Sequence, residues 1–177
     1  MEASMAKDEN TKAREVFVTG LRNAHAVENQ ALELMNRQVE RIENYPEIKQ
    51  RLERHIQETH GQIERLDRIL DGLNESRSVL KDNALSFMGN MAALAHSAAQ
   101  DEILKNSIAN FAFENFEIAS YKSLIQLAEE TGNGSAAQPL QQSLDEEEAM
   151  ADWLDQHLPE VTSTYLRREV SGEKAGI

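Results

Sequence analysis

The chain has 177 residues, enough for one domain with a working core. With 40% apolar and 5% aromatic residues, 8 glycines and 3 prolines, it is short of what sheets draw on. A formal charge of −13, from 31 acidic and 18 basic residues, repels phosphate backbones and anionic headgroups, which weighs against nucleic acid and membrane as partners. The absence of cysteine excludes disulfides, thiolate nucleophiles, iron–sulfur clusters and thiolate zinc sites.

Residues 1–12 are polar and lack the apolar core of a secretory signal, which predicts a flexible lead and, by default, a cytoplasmic protein. Phe17, Leu21, Ala24, Glu28, Ala31, Met35, Val39 and Ile42 then step by three or four, predicting an amphipathic helix over about 12–43. Asn44-Tyr45-Pro46 ends it, and Pro46 suits the first turn of a second helix over 46–71. That helix turns Ile48, Leu52, Ile56, Ile63, Leu66 and Leu70 inward and stops at Gly72 and Asn74. Residues 75–100 are less regular, and LSFMGNMAALAHSAAQ within them reads as one or two short helices.

A third helix over 101–131 points Ile108, Phe111, Ile118, Tyr121 and Ile125 inward, until Gly132-Asn133-Gly134 breaks it. A fourth, over 136–157, turns Leu140, Leu144, Ala151, Leu154 and Leu158 inward and is expected to stop at Pro159. A short last helix over 160–168 and a flexible tail over 170–177 follow, leaving 13–169 as a single domain. The expected class is all-α: two helical hairpins joined by one long, partly helical crossover in an up-down-down-up bundle. A bundle helix of about 26–30 residues is roughly 40 Å long at ~1.5 Å per residue, and the 75–100 link must cover that span.

Each long helix carries a glutamate on or beside its apolar stripe: Glu28, Glu58, Glu114 with Glu117, and Glu147. Glu28 lies 17 residues before Tyr45 and Glu58 lies 13 after it; Glu117 lies 16 before Asn133 and Glu147 lies 14 after it. The spacing from 28 to 58 and from 117 to 147 is 30 residues in both cases, as in a degenerate duplication of one acid-bearing hairpin. Buried ionised carboxylates are costly singly and repel one another in groups. Two divalent cations relieve both penalties, as in di-iron and di-manganese carboxylate bundles. The plain alternative is that these acids are solvated or paired with Arg65, Lys105 or Lys122.

HIQETHGQIERL (55–66), ENFEIASY (114–121), LDEEEAMADWL (144–154) and HAVENQAL (25–32) together resemble the signature stretches of the YciE/YciF-like family of ferritin-like stress-response proteins. The resemblance covers about 15–158 and implies a rubrerythrin-like four-helix bundle, often dimeric, with a dinuclear metal site and no assigned reaction. It places Glu28, Glu58, Glu114, Glu117 and Glu147 on the ligand positions. Ferritin-like oxidases carry Glu-x-x-His in the second and fourth helices, whereas Gly61 and Met150 stand three residues after Glu58 and Glu147 here. His55, one turn before Glu58, either ligates or orients a ligand. Arg65 either pairs with a ligating or neighbouring carboxylate and holds it, or makes an ordinary inter-helix ion pair. Gln62 follows Glu58 by one turn, and Tyr121 either bonds a ligand or is a satisfied core tyrosine. Gly61 is expected at a close helix approach, and Asp145, Glu146 and Glu148 on a solvated face.

The expected function is that of a protein holding two iron or manganese ions, reducing or dismutating peroxide or dioxygen under stress. No internal electron donor is legible, so electrons would come from an external partner or from dismutation. A non-enzymatic dimeric scaffold with a structural or vestigial metal, and a ferritin-like iron store, are the alternatives.

Overall fold

The computed structural model describes residues 2–76 and 100–177, with side chains from residue 11 onward. Helix α1 spans Glu2–Arg41, α2 Pro46–Gly72, α3 Glu102–Glu130 and α4 Ala137–Ser171, with a 3-10 turn at Gly134–Ala136. The short helices expected within 75–100, with Met88, Met91 and His96, lie almost wholly outside the described residues.

Helix directions follow from the contacts between them. Gln38 exchanges both amide hydrogen bonds with Asn110, and Arg41 pairs with Glu102, while Gly20 faces Leu124. Rising numbers on α1 therefore meet falling numbers on α3. Arg65 donates to Ser143 at 3.0 Å, and His55 Nε2 lies 3.5 Å from Glu147, so α2 and α4 also run antiparallel. With an antiparallel hairpin on each side, the order is up-down-down-up. The all-α four-helix bundle expected from the sequence is the fold observed.

The apolar core is split. One cluster, which includes Phe17, Leu21, Leu66, Leu70, Leu124 and Leu140, fills the end beside the α3–α4 turn. A second, which includes Met35, Ile42, Ile48, Leu52, Ile103 and Leu154, fills the end beside Tyr45. Between them lies a layer of buried polar side chains, Glu28, His55, Thr59, Gln62, Glu114, Glu117 and Glu147. The matching depths of the glutamates thus acquire a geometric meaning. The two hairpin turns sit at opposite ends, and only residues near mid-helix reach one level from both.

Several local expectations are corrected. Helix α1 begins at Glu2 rather than near residue 12, its first turns being rich in Ala, Glu, Met and Lys, all helix formers. Helix α4 does not stop at Pro159 but continues to Ser171. Proline removes the hydrogen bond to the Asp155 carbonyl, but both residues lie on the exposed face, which solvent can reach. Gly172, at φ 76°, ends the helix in a left-handed turn that glycine adopts at no steric cost.

The last residues, expected as a loose tail, fold back on the bundle end. Tyr45 donates to the Ala175 carbonyl at 2.6 Å, and the Ile103 N–H donates to the Gly176 carbonyl at 2.9 Å. Ile108, expected inward, is 58% exposed. Helix α3 turns Ile103, Phe113, Glu117, Tyr121 and Leu124 inward instead. The close helix approach is at Gly20, where an added Cβ would stand 2.8 Å from Leu124 Cδ2, and not at Gly61, whose neighbour is the Arg65 guanidinium.

Candidate metal centre

His55 is presented by α2 with its ring wholly inside the bundle, 1% exposed. Its Nδ1 lies 2.8 Å from Glu58 on its own helix, one turn away, as i and i+3 positions require. Its Nε2 reaches across the bundle, 3.1 Å from Glu114 Oε2 on α3 and 3.5 Å from Glu147 Oε2 on α4. One ligand atom from each of His55, Glu114 and Glu147 falls within 4.8 Å of the others, and all three side chains are buried.

Glu28 and Glu117 complete the layer. The Tyr121 hydroxyl donates to Glu28 Oε1, linking α1 to α3. Gln62 donates to Glu147 Oε1 and, at 3.2 Å, to Glu146 Oε2. Arg65 binds Glu146 and Ser143, and its charge also favours the ionised form of Glu28. The carboxylate it pairs with is Glu146, the neighbour of Glu147 on α4. Glu146, expected on a solvated face, is half-buried because it receives both Gln62 and Arg65.

Several of these groups titrate away from their ordinary values. Burial, then repulsion from Glu147, raises Glu28 well above the carboxylate range, with Tyr121 offsetting only part. Burial and repulsion from Glu28, Glu147 and Glu114 do the same to Glu117. Burial with Glu114 alongside pushes Glu147 up to about 8. Burial and the Glu28 charge raise the Tyr121 phenol. For His55, burial works against the charged ring, but Glu114, Glu147 and Glu58 outweigh it and raise it well above the imidazole range. Glu58 differs: burial opposes its charge, yet hydrogen bonds from His55 and Arg51 hold it at about 2.

The donor set fits a cation. Glu28 Oε2, Glu114 Oε2, Glu117 Oε1 and Glu147 Oε2 are buried without a hydrogen-bond partner among the described residues. Glu114 Oε2 is within ion-pair distance of His55 yet not aligned for a hydrogen bond. Orphaned buried acceptors are rare and call for an explanation, and four on one level, from three helices, can be satisfied by protons or by a bound cation. Oxygen donors with one imidazole suit iron or manganese.

Of the residues expected from sequence, His55, Glu114 and Glu147 converge, with Glu28 and Glu117 in electrostatic contact with them. Glu58 is held by His55 Nδ1 and Arg51 and is not in the converging group. Arg51, Thr59 and Ser143 are buried around the layer without having been anticipated. Their only sequence signal was polarity at helical spacing from the apolar stripes. His25 pairs with Asp67 at 3.0 Å, and His157 stacks on Trp153, so neither joins the layer.

The family model "Domain of unknown function (DUF892)" matches residues 12–167. Protein YciF of Escherichia coli K12 is 32% identical over 144 residues, covering 76% of this chain and 83% of that protein. A solved protein of Xanthomonas campestris pv. campestris superposes with TM-score 0.75 at 34% identity, covering 89% of this chain and 98% of that one. YcfI of Rhodopseudomonas palustris superposes with TM-score 0.72 at 28% identity, covering 81% and 92%. The E. coli stress protein YciF does so with TM-score 0.70 at 28% identity, covering 82% and 94%. A match across nearly the whole bundle, together with the acid-bearing stretches on all four helices, places the chain in the YciF-like DUF892 family.

Proposed function

We propose that this chain is a dinuclear iron or manganese carboxylate protein of the bacterial stress response. The observation that carries the reading is the set of four buried carboxylate oxygens without a hydrogen-bond partner among the described residues, two of them at His55 Nε2. Four carboxylates and two divalent cations balance in charge, whereas four carboxylates alone do not. His55, Glu114 and Glu147 would hold metal, with Glu28 and Glu117 supplying further oxygens. Glu58, on the far ring nitrogen of His55, would orient that ring and favour the tautomer that leaves Nε2 free to ligate. Tyr121 holds Glu28, and Gln62 holds Glu147. The two apolar clusters keep bulk water from both ends of the layer.

The metals, when bound, supply the redox change with which peroxide or dioxygen is reduced or peroxide dismutated. Without cysteine in the chain, a reductive cycle draws on an external donor. The similarity to a protein titled a stress protein supports the stress assignment. The absence of a helix long and apolar enough to cross a membrane, among the described residues, supports a cytoplasmic setting. Exposed Ile108 and Phe116 on the outer face of α3 support a homodimer.

The test is metal content after purification without added metal. Two Fe or Mn per chain are expected, lost in Glu114→Gln and Glu147→Gln while the helical spectrum persists. Absent metal in the folded wild type would leave a non-enzymatic scaffold instead.

A further inference from the structure

A second polar feature leads to the same layer from the bundle end. On α3, Glu102, Asn106, Asn110 and Glu114 recur every four residues, so an oxygen-bearing side chain sits on each successive turn, about 6 Å apart at ~1.5 Å per residue. Glu102 and Asn110 meet α1, pairing with Arg41 and Gln38, and the row winds from there by about 40° per step toward Glu114. Glu102, Asn106 and Gln38 are buried, in a stretch otherwise packed with Met35, Ile42, Ile103 and Phe113. Buried amides are costly unless hydrogen-bonded, and Gln38 and Asn110 meet that cost with each other. Asn106 is 3% exposed, and its Oδ1 has no hydrogen-bond partner among the described residues.

The file ends in a cavity. A cleft between α1 and α3, walled by Ala31, Leu34, Met35 and Phe113, is bridged by Gln38 and Asn110 and reaches Glu114. The cleft offers about 20 Å³ to a water's centre, room for a single water. Gln38 Nε2 donates to Asn110 Oδ1 at 3.0 Å and Asn110 Nδ2 donates back at 2.8 Å, closing the cleft with a pair that only side-chain rotation need open. Once apart, the two amide oxygens are hard donors matched to a divalent cation shedding its water.

We propose that the α1–α3 cleft is the port through which divalent cations reach the centre, and that the Gln38–Asn110 amide pair is its gate. The inference rests on reading Glu114, Glu147 and His55 as metal ligands. Glu102 and Asn106 continue the oxygen file toward the bundle end, and Glu114 is the ligand at which it arrives. The small space requires an ion to leave most of its hydration shell behind and take amide oxygens in its place.

The experiment follows Co2+ uptake by metal-stripped, folded protein, using the absorption of the bound ion for rate and final stoichiometry. Gln38→Leu keeps the volume but removes the donors, and is expected to slow uptake at least tenfold with unchanged stoichiometry. Asn110→Asp adds charge at the gate without blocking it, and is expected to speed uptake at low salt and lose that gain at high salt. Wild-type uptake rates in both variants overturn the port while leaving the metal centre standing. Lowered stoichiometry at unchanged rate in Gln38→Leu overturns it as well. A folded wild type that takes up no Co2+ removes the centre itself, and the port with it.

Discussion

His55 Nε2 lies 3.1 Å from Glu114 Oε2, tying α2 to α3 across the middle of the bundle. The contact joins diagonal helices at the level where the apolar core is interrupted. It makes the metal-free protein's stability a matter of protons.

In that state the pH dependence has a definite sign. His55 is raised above the ordinary imidazole value, so its contribution is complete below about pH 6.5 and is lost as pH climbs through the folded value. Glu147, raised from 4.5 to about 8, acts the same way: the folded state holds its proton more tightly, and stability falls as pH rises between those values. Glu28 and Glu117 add to that fall. Glu58, lowered to about 2, has the opposite sign, its contribution present above the ordinary carboxylate value and lost as pH drops toward 2. The melting temperature of stripped protein should therefore fall from about pH 5 to about pH 8. Added Mn2+ should reverse the slope, because its ligands must shed protons to bind. A stripped-protein midpoint that rises over that interval would contradict the convergence of these acids.

Tyr121→Phe should cost about 1–3 kcal/mol in urea unfolding of the stripped protein. The ring still fills its place in the cluster with Leu124 and Leu144, but both Glu28 oxygens are then left buried without a donor. A loss below about 0.5 kcal/mol would show that Glu28 finds another partner.

Two glycines should respond with opposite signs to the same change. Gly61→Ala places its methyl at an ordinary 3.5 Å from the Arg65 guanidinium and should stabilise by about 0.5–1 kcal/mol through helix propensity alone. Gly20→Ala drives its methyl to 2.8 Å from Leu124, itself buried, and overpacking should outweigh the propensity gain by on the order of 1 kcal/mol. Equal melting temperatures for the two variants would refute the close approach of α1 and α3 at Gly20.

Much of this was legible beforehand because helical periodicity is local. The stripes of α1, α2 and α4 were identified by spacing, and Phe17, Leu21, Leu52, Leu66, Leu140 and Leu154 are buried as that spacing requires. Helix α3 misled because it is apolar on several faces. A chain with Ile108, Phe111, Phe113, Phe116 and Ile118 close together does not announce which side faces inward, and Ile108 was placed on the wrong one. Pro159 misled because its cost depends on whether the freed carbonyl meets water, which is a property of the fold. The spacing put Glu58 with the converging acids, but it could not show that His55 turns Nδ1 to Glu58 on its own helix and Nε2 to Glu114 across the bundle.

The sequence by itself determined the helices, the hairpin order and a set of acids at one depth, because all of these are consequences of 3.6-residue periodicity and turn chemistry. Only the tertiary structure decided which acids meet, which imidazole nitrogen meets them and which oxygens are left without donors. Those depend on rotations about each helix axis and on distances between helices, and side chains from all four must be in place before either is defined.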